Sequence, residues 1–393
     1  MPGQNRSAIR RSEISVVLYL AFLGVLMAFG VDVSLPAFDE LREEFALDDR
    51  GVSVGIVGTL YILGTAAGQL VYGTASDRFG RRNVMLFGIG LYAIGALGSA
   101  LAPNLEVLLI SRLVWGLGAA APYVLRLAIA RDLYDGDQMA RVVTIVMAVF
   151  LIGPIFVPIV GEAILAVGPW QSVFFASLVL AVAALAWTVG FGETLDPEDR
   201  APLDPASTWR ATRAIVSTRP TIGNILALTL TGVPFFVFLG SAQPIIDRIY
   251  DRPEQFAYLF AASGVFMALS LLVSNRLIPK YGARSMALWA SVGFVFVAAA
   301  GMVMVLSTDG VPSIWWWFAW AAIGNSLSMV MTPMCSALAL DPMGDMAGSA
   351  SAVLGFTSLA GGALLAAIVD NQIDSTVTPM VVASLVYGAL GLA

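Results

Sequence analysis

The chain has 393 residues, of which 58% are hydrophobic and only 12% charged, and its formal net charge is −6. A soluble domain carries about a quarter of its residues as charges, so this composition excludes an ordinary water-facing surface and fits one facing lipid, where ionised side chains are penalised. With no histidine and one cysteine, Cys335, histidine metal sites, histidine-based catalytic triads and an internal disulfide are excluded too.

The apolar residues come in runs without period-two alternation, which argues for helices and against a barrel. A helix needs about 20 apolar residues to cross about 30 Å of hydrocarbon, and open sheet would leave backbone unpaired in lipid. In chain order the runs predict twelve spans, at residues 14–36, 53–74, 84–102, 106–130, 140–165, 171–191, 221–246, 255–277, 285–306, 314–339, 347–370 and 378–393, the last short for a crossing. Met1 to Glu13 is basic, but no short apolar segment with a cleavage site follows, so the first run reads as a permanent helix. The expected fold is therefore an all-α membrane protein of twelve transmembrane helices.

Asp32 is the only acid in the apolar stretch of the first span, within FGVDVSLPAF. The segment after it is acidic, with Asp39, Glu40, Glu43, Glu44, Asp48 and Asp49, and reads as a solvated loop. Arg112 lies in the fourth span, about six residues from its predicted end. A charge there costs about 2.5–3.5 kcal/mol on insertion scales, so Arg112 either faces a partner or a wet cavity, or snorkels to the membrane edge. Arg126, nearer the opposite end, reads as snorkelling.

With a cytoplasmic N-terminus, fifteen of the twenty-one basic residues fall in inside segments and four, Arg42, Arg50, Arg248 and Arg252, in outside ones; Arg112 and Arg126 complete the total. That asymmetry predicts both termini in the cytoplasm. A proline-rich, charged stretch at 192–220 separates the spans six and six, giving units at 1–191 and 221–393. The halves share a faint echo: GTASDRFGRR at 73–82 and NRLIPKYGAR at 275–284 align Gly80 with Gly282 and Arg82 with Arg284, at an offset of 202 residues. Such repeats predict pseudo-symmetric bundles with substrate between them.

The stretch Gly73-Thr-Ala-Ser-Asp77-Arg78-Phe-Gly80-Arg81-Arg82 resembles the signature loop between the second and third helices of the major facilitator superfamily. Read physically, Gly73 lets its helix approach a neighbour closely, Gly80 permits the turn, and Arg81 is placed to pair with Asp132 at the end of the fourth span. The resemblance implies a charge relay that locks the outward-facing state, with Asp77 near the start of the eleventh span at Ala347 to Ser349. The alternative is a tight turn in a positively charged loop.

Other segments resemble the drug:proton antiporter branch of that family, the Bcr/CflA and chloramphenicol/florfenicol exporters. Asp32 with Pro36 is one. In that branch a carboxylate here serves protonation and drug recognition, and an arginine at the position of Arg112 is linked to proton coupling. A carboxyl withdrawn from water holds its proton more tightly, and a nearby guanidinium opposes that; the alternative is a solvated acid at the outer mouth. GPIFVPIVGE, from Gly153 and Pro154 through Pro158 and Gly161 to Glu162, resembles the antiporter signature of the fifth helix, with Pro158 additional and Glu162 in place of a second glycine. The alternative is an ordinary packing kink. The Asp341-Pro-Met-Gly turn and the Ala347-Gly-Ser-Ala-Ser stretch resemble the same branch.

A drug cavity is largely apolar with few polar anchors. Tyr61, Tyr123, Phe235, Phe236, Phe238, Gln243, Asn325 and Met329 are candidates to line it. Trp315, Trp316, Trp317 and Trp320 read as an interfacial aromatic belt. No nucleotide-binding loop, voltage-sensor ladder or filter is evident. The expected function is proton-coupled export of small lipophilic drugs by a monomer in a bacterial inner membrane. Its partners are the small-molecule substrate, protons and the lipid bilayer, without cofactor, metal, nucleic acid or enzymatic activity. Two alternatives stand: a proton-coupled metabolite transporter on the same fold, and a non-transporting membrane receptor or scaffold.

Overall fold

The computed structural model describes residues 12–134, 136–200 and 205–392. They fold into α1 (Glu13–Asp32), α2 (Phe38–Glu44), α3 (Ile56–Phe79), α4 (Arg81–Ala100), α5 (Leu105–Leu133), α6 (Gly136–Leu165), α7 (Gln171–Phe191), α8 (Pro205–Ser217), α9 (Arg219–Pro244), α10 (Phe256–Tyr281), α11 (Ala283–Leu306), α12 (Ile314–Leu340), α13 (Ala347–Asp370) and α14 (Thr378–Leu392), with no strand among the described residues. Side-chain caps start several of them. Ser12 accepts from the Ser15 amide at 3.2 Å and Asn104 from the Val107 amide at 2.9 Å, satisfying donors that a helix leaves orphaned.

Ten helices among the described residues are long and apolar enough to cross a bilayer, and the chain is a multi-pass membrane protein. Of the other two expected spans, α6 has side chains outside the described residues, and α14 has 15 residues, about 22 Å of rise.

The helices pack in a repeated order. α1 lies on α5, α6 and α7, α5 on α3 and α4, and α4 on α7. Later in the chain the same pairs recur: α9 on α12, α13 and α14, α12 on α10 and α11, and α11 on α14. Between the two sets, α3 meets α13 and α6 meets α10. Close approach within a set rests on missing side chains: a Cβ at Gly116 of α5 would collide with the Tyr61 carbonyl of α3.

The echoed turns have one geometry. Gly80, between α3 and α4, has φ 90° and ψ 150°; Gly282, between α10 and α11, has φ 77° and ψ 152°. Glycine enters this region without steric cost, so each residue ends one helix and starts the next.

Three local expectations are corrected. The acidic segment after Asp32 is not simply a solvated loop: it contains α2, which buries Phe38, Leu41 and Arg42. The separating stretch contains α8, whose Ile215 is buried against the second set. The tryptophans split. Trp315 and Trp316 are exposed, but Trp317 is buried beside Phe238 and Tyr250, and the indole N–H of Trp320 donates to the Val297 carbonyl at 3.0 Å. Helical periodicity turns consecutive residues to different faces.

Candidate functional site

α1 ends at Asp32, which is 4% exposed. No hydrogen bond or ion pair of its carboxylate is found among the described residues. Arg112, fully buried on α5, comes to the same level by another route. Its Nε donates to the Val57 carbonyl at 3.0 Å, Nη1 to the Gly30 carbonyl at 2.9 Å, and Nη2 to Ser34 Oγ at 3.4 Å. The guanidinium also lies over the rings of Tyr61, Trp115 and Phe174, 4.9, 4.8 and 5.8 Å from their centroids. Snorkelling is thereby corrected to a buried anchor joining α1, α3 and α5. The guanidinium grips residues on both sides of Asp32 but forms no ion pair with it. Asp32 is thus a buried acid that no cation among the described residues answers.

At the opposite end of α3, Arg81 gathers the signature loop. Its Nη1 donates to Asp77 at 2.5 Å and to Ser76 Oγ at 2.7 Å, and its Nε to Asp132 Oδ2 at 2.9 Å. Asp132 also accepts from Thr194 Oγ1 at 3.1 Å. Glu193 takes up the Arg81 amide at 2.9 Å and the Arg82 amide at 3.3 Å, an acid on the N-terminal amides of α4 where helix dipoles favour it. Glu193 and Thr194 were not singled out in the sequence, because they lie in an irregular stretch that only the fold returns to this corner. Arg78 is exposed. Gly73 is corrected: a Cβ there would meet nothing within 4 Å, so it permits no close approach in this conformation. The side chains of Ala347 to Ser349, the neighbours implied for Asp77, lie outside the described residues.

In α6, Gly153 and Gly161 face α1 and the turn beyond it. Their Cβ atoms would fall 2.8 Å from Ala28 Cβ and 2.8 Å from the Val33 carbonyl. Pro158 is buried, and Glu162 lies beside the Ala257 amide near the start of α10. The side chain of Pro154 lies outside the described residues.

The Major Facilitator Superfamily family model matches residues 20–366. The chain belongs to the Major Facilitator Superfamily. The Haemophilus influenzae bicyclomycin resistance protein homolog is 29% identical over 374 residues, covering 94% of this chain and 92% of that one. Multidrug resistance protein MdtL of Escherichia fergusonii is 27% identical, covering 88% and 87%. These relatives support the drug:proton antiporter branch. Among solved structures, a D-xylose-proton symporter superposes with a TM-score of 0.75 at 16% identity, covering 96% of this chain and 95% of that one; it shares the fold.

Within this superfamily fold the candidate cavity residues part company. Phe236 lines a narrow cleft between the two helix sets, with Leu35, Thr59, Ile62, Leu239 and Ala363. Asn325 lines a separate small pocket inside the second set, with Pro234 and Trp320. Tyr61 is sealed in the first set, its hydroxyl donating to the Met27 carbonyl at 3.0 Å. Tyr123 stacks with Arg126, which is 1% exposed, so the snorkelling expected of Arg126 is corrected to burial. Phe235 and Met329 are half-buried, and Phe238 stacks on Phe260 in the second set.

The sets are tied at the end where α1 stops. Arg248 donates to Asp48 at 2.5 and 3.0 Å, the Ser53 amide donates to Asn371 Oδ1 at 3.0 Å, and Gln243 donates to Asp39, which also holds Arg42. The hydrogen bond from Arg248 holds the Asp48 carboxyl below the usual carboxylate range. The sequence reading gave none of these contacts a role, since each joins residues far apart in the chain.

Proposed function

We propose that this chain is a proton-coupled antiporter that exports small lipophilic drugs, multidrug or phenicol-type, by alternating access. In this reading twelve helices cross a bacterial inner membrane with both termini cytoplasmic. Residues 1–191 and 221–393 form two six-helix bundles joined by a cytoplasmic linker at 192–220, and the protein works as a monomer. The observation that carries the reading is Asp32: a buried carboxyl with no cation, set between two residues that a buried guanidinium holds in place. The resistance named in the relatives gives the substrate class.

Asp32 and Arg112 do the coupling, by position and not as an ion pair. Arg112 fixes the end of α1, so the carboxyl meets either outer water or the central cleft as the bundles rock. A proton arriving from outside neutralises Asp32 and lets it re-enter apolar surroundings. Its release on the cytoplasmic side restores an anion that holds a drug. Phe236 offers an apolar wall to that drug from the opposite bundle, with Tyr61, Tyr123, Phe235 and Asn325 recruited as the cleft widens. The cluster of Gly73, Asp77, Arg78, Gly80, Arg81, Arg82 and Asp132 switches the cytoplasmic end. Gly153, Pro154, Pro158 and Gly161 set the kinked packing of α6 on α1.

The test uses inside-out membrane vesicles with an acidified lumen. Adding a transported drug should discharge the pH gradient in the wild type and leave it intact with Asp32→Asn. Unchanged proton-driven uptake in that variant removes Asp32 from the mechanism. Co-movement of drug and proton instead identifies a symporting metabolite carrier, and absence of flux identifies a receptor. A susceptibility panel in an efflux-deficient bacterium selects the drugs.

A further inference from the structure

α13 ends in a second acid that the mechanism above leaves unused. Asp370 is 4% exposed, and the helix carries it to the end where α1 stops. There its carboxylate fills a notch between the two bundles. Ser241 Oγ of α9 donates to Oδ1 at 2.6 Å. Oδ2 faces two glycines, one from each bundle: a Cβ on Gly55, just before α3, would lie 3.1 Å from it, and one on Gly240 would lie 2.7 Å from it. Gly55 and Gly240 also line the cleft between the bundles, so Asp370 sits at the closed end of that cleft. The next residue, Asn371, holds the Ser53 amide across the same seam.

No cation among the described residues answers this carboxyl. The charged groups on the surrounding elements are Asp39, Arg42 and Asp48 after α1, Asp247 and Arg248 after α9, and Asp374 in the loop following Asp370. Arg42 is taken by Asp39 and Asp48, Arg248 by Asp48, and Asp247 faces Asp39. Asp374 is exposed. None forms a hydrogen bond or ion pair with Asp370 among the described residues. The notch therefore accepts a neutral carboxyl, with Ser241 serving one oxygen and glycine backbones making room for the other. It rejects an ionised one, which is buried there with no counter-charge among the described residues. When the bundles part at this end, the same group meets water and gives up its proton.

We propose that Asp370 is a second proton-binding site, distinct from Asp32, whose occupancy latches the outer end of the cleft. This rests on the alternating-access reading and on the orientation given above. The latch exchanges its proton with the outer medium, so outside acid closes the cleft and outside alkali opens it.

The experiment follows the outer opening directly and needs no substrate. Spin labels at Glu44→Cys and Glu254→Cys, in a Cys335→Ser background, report the distance between the bundles by double electron–electron resonance in lipid nanodiscs. In the wild type the open-to-closed ratio should rise with pH, by up to about tenfold per pH unit across the titrating range. Asp370→Asn should shift the outer end toward closed and flatten this rise. Gly240→Ala, which crowds the carboxyl out of the notch, should raise the open population at every pH. Asp32→Asn should leave the response in place. The proposal is overturned by a wild-type distance indifferent to pH, a response that survives Asp370→Asn, a response abolished by Asp32→Asn, or a wild-type distribution in Gly240→Ala. Loss of drug flux with this response intact would defeat the antiporter reading and leave the latch standing.

Discussion

Arg112 Nη1 donates to the carbonyl of Gly30 at 2.9 Å, two residues before the buried Asp32. The bond belongs to a fork that also holds Val57 and Ser34, so one guanidinium fixes the end of α1 against α3. Arginine suits this place because its planar head reaches several acceptors at once and stays charged when buried.

Lysine at the same position presents a compact ammonium in place of the fork. Arg112→Lys should leave at least one buried carbonyl unmet, at about 1–3 kcal/mol for each. The thermal midpoint of the purified protein, followed by fluorescence-detected size exclusion, should fall, and drug-driven proton release should fall with it. A variant as stable and as active as the wild type would show that the three acceptors do not depend on the fork.

Two glycines of α3 should behave oppositely. A Cβ at Gly64 would collide with the Leu113 carbonyl of α5, whereas one at Gly73 would meet nothing within 4 Å. Gly64→Ala should therefore destabilise the fold. Gly73→Ala should be neutral or stabilising by about 0.5–1 kcal/mol, the usual gain of alanine over glycine in a helix. If Gly73→Ala keeps its melting point yet loses transport, the close approach at Gly73 belongs to another state of the cycle.

The Arg248–Asp48 contact carries its own pH dependence, opposite in sign to the latch at Asp370. The closed end at which α1 stops holds the Asp48 carboxyl below its ordinary range, chiefly through the hydrogen bond from Arg248. The stabilisation is thus complete above the ordinary carboxylate value of about 4 and is lost as pH falls through the lower value of the closed state. In the spin-labelled wild type a second opening, separate from the one that alkali releases at Asp370, should appear at this face in that acid range. Asp48→Asn should lack this acid-induced change, and because both partners are substantially exposed, salt should weaken the contact.

Much of this architecture was readable from residue order alone. Long apolar runs have one stable outcome in lipid, and Gly80 announced a turn that the backbone makes at positive φ. Asp32 and Arg112 stood out because charge is rare in such runs. Asp370 did not, because an acid at the end of an apolar run normally reaches water. Its burial comes from Gly55 and Gly240, residues whose contribution is an absence of side chain and whose nearness only the folded chain supplies. The same blindness hid the inward turn of Trp317 and the short helix α2, where neighbours decide which face is wet.

Gly80 and Gly282 adopt nearly the same torsions although their flanking sequences share little. Drift can erase any residue whose replacement is sterically harmless, but a left-handed hinge admits few substitutes. The likeness of the two helix sets is thus kept in stereochemistry: one glycine makes the same reversal in each, among neighbours that share little.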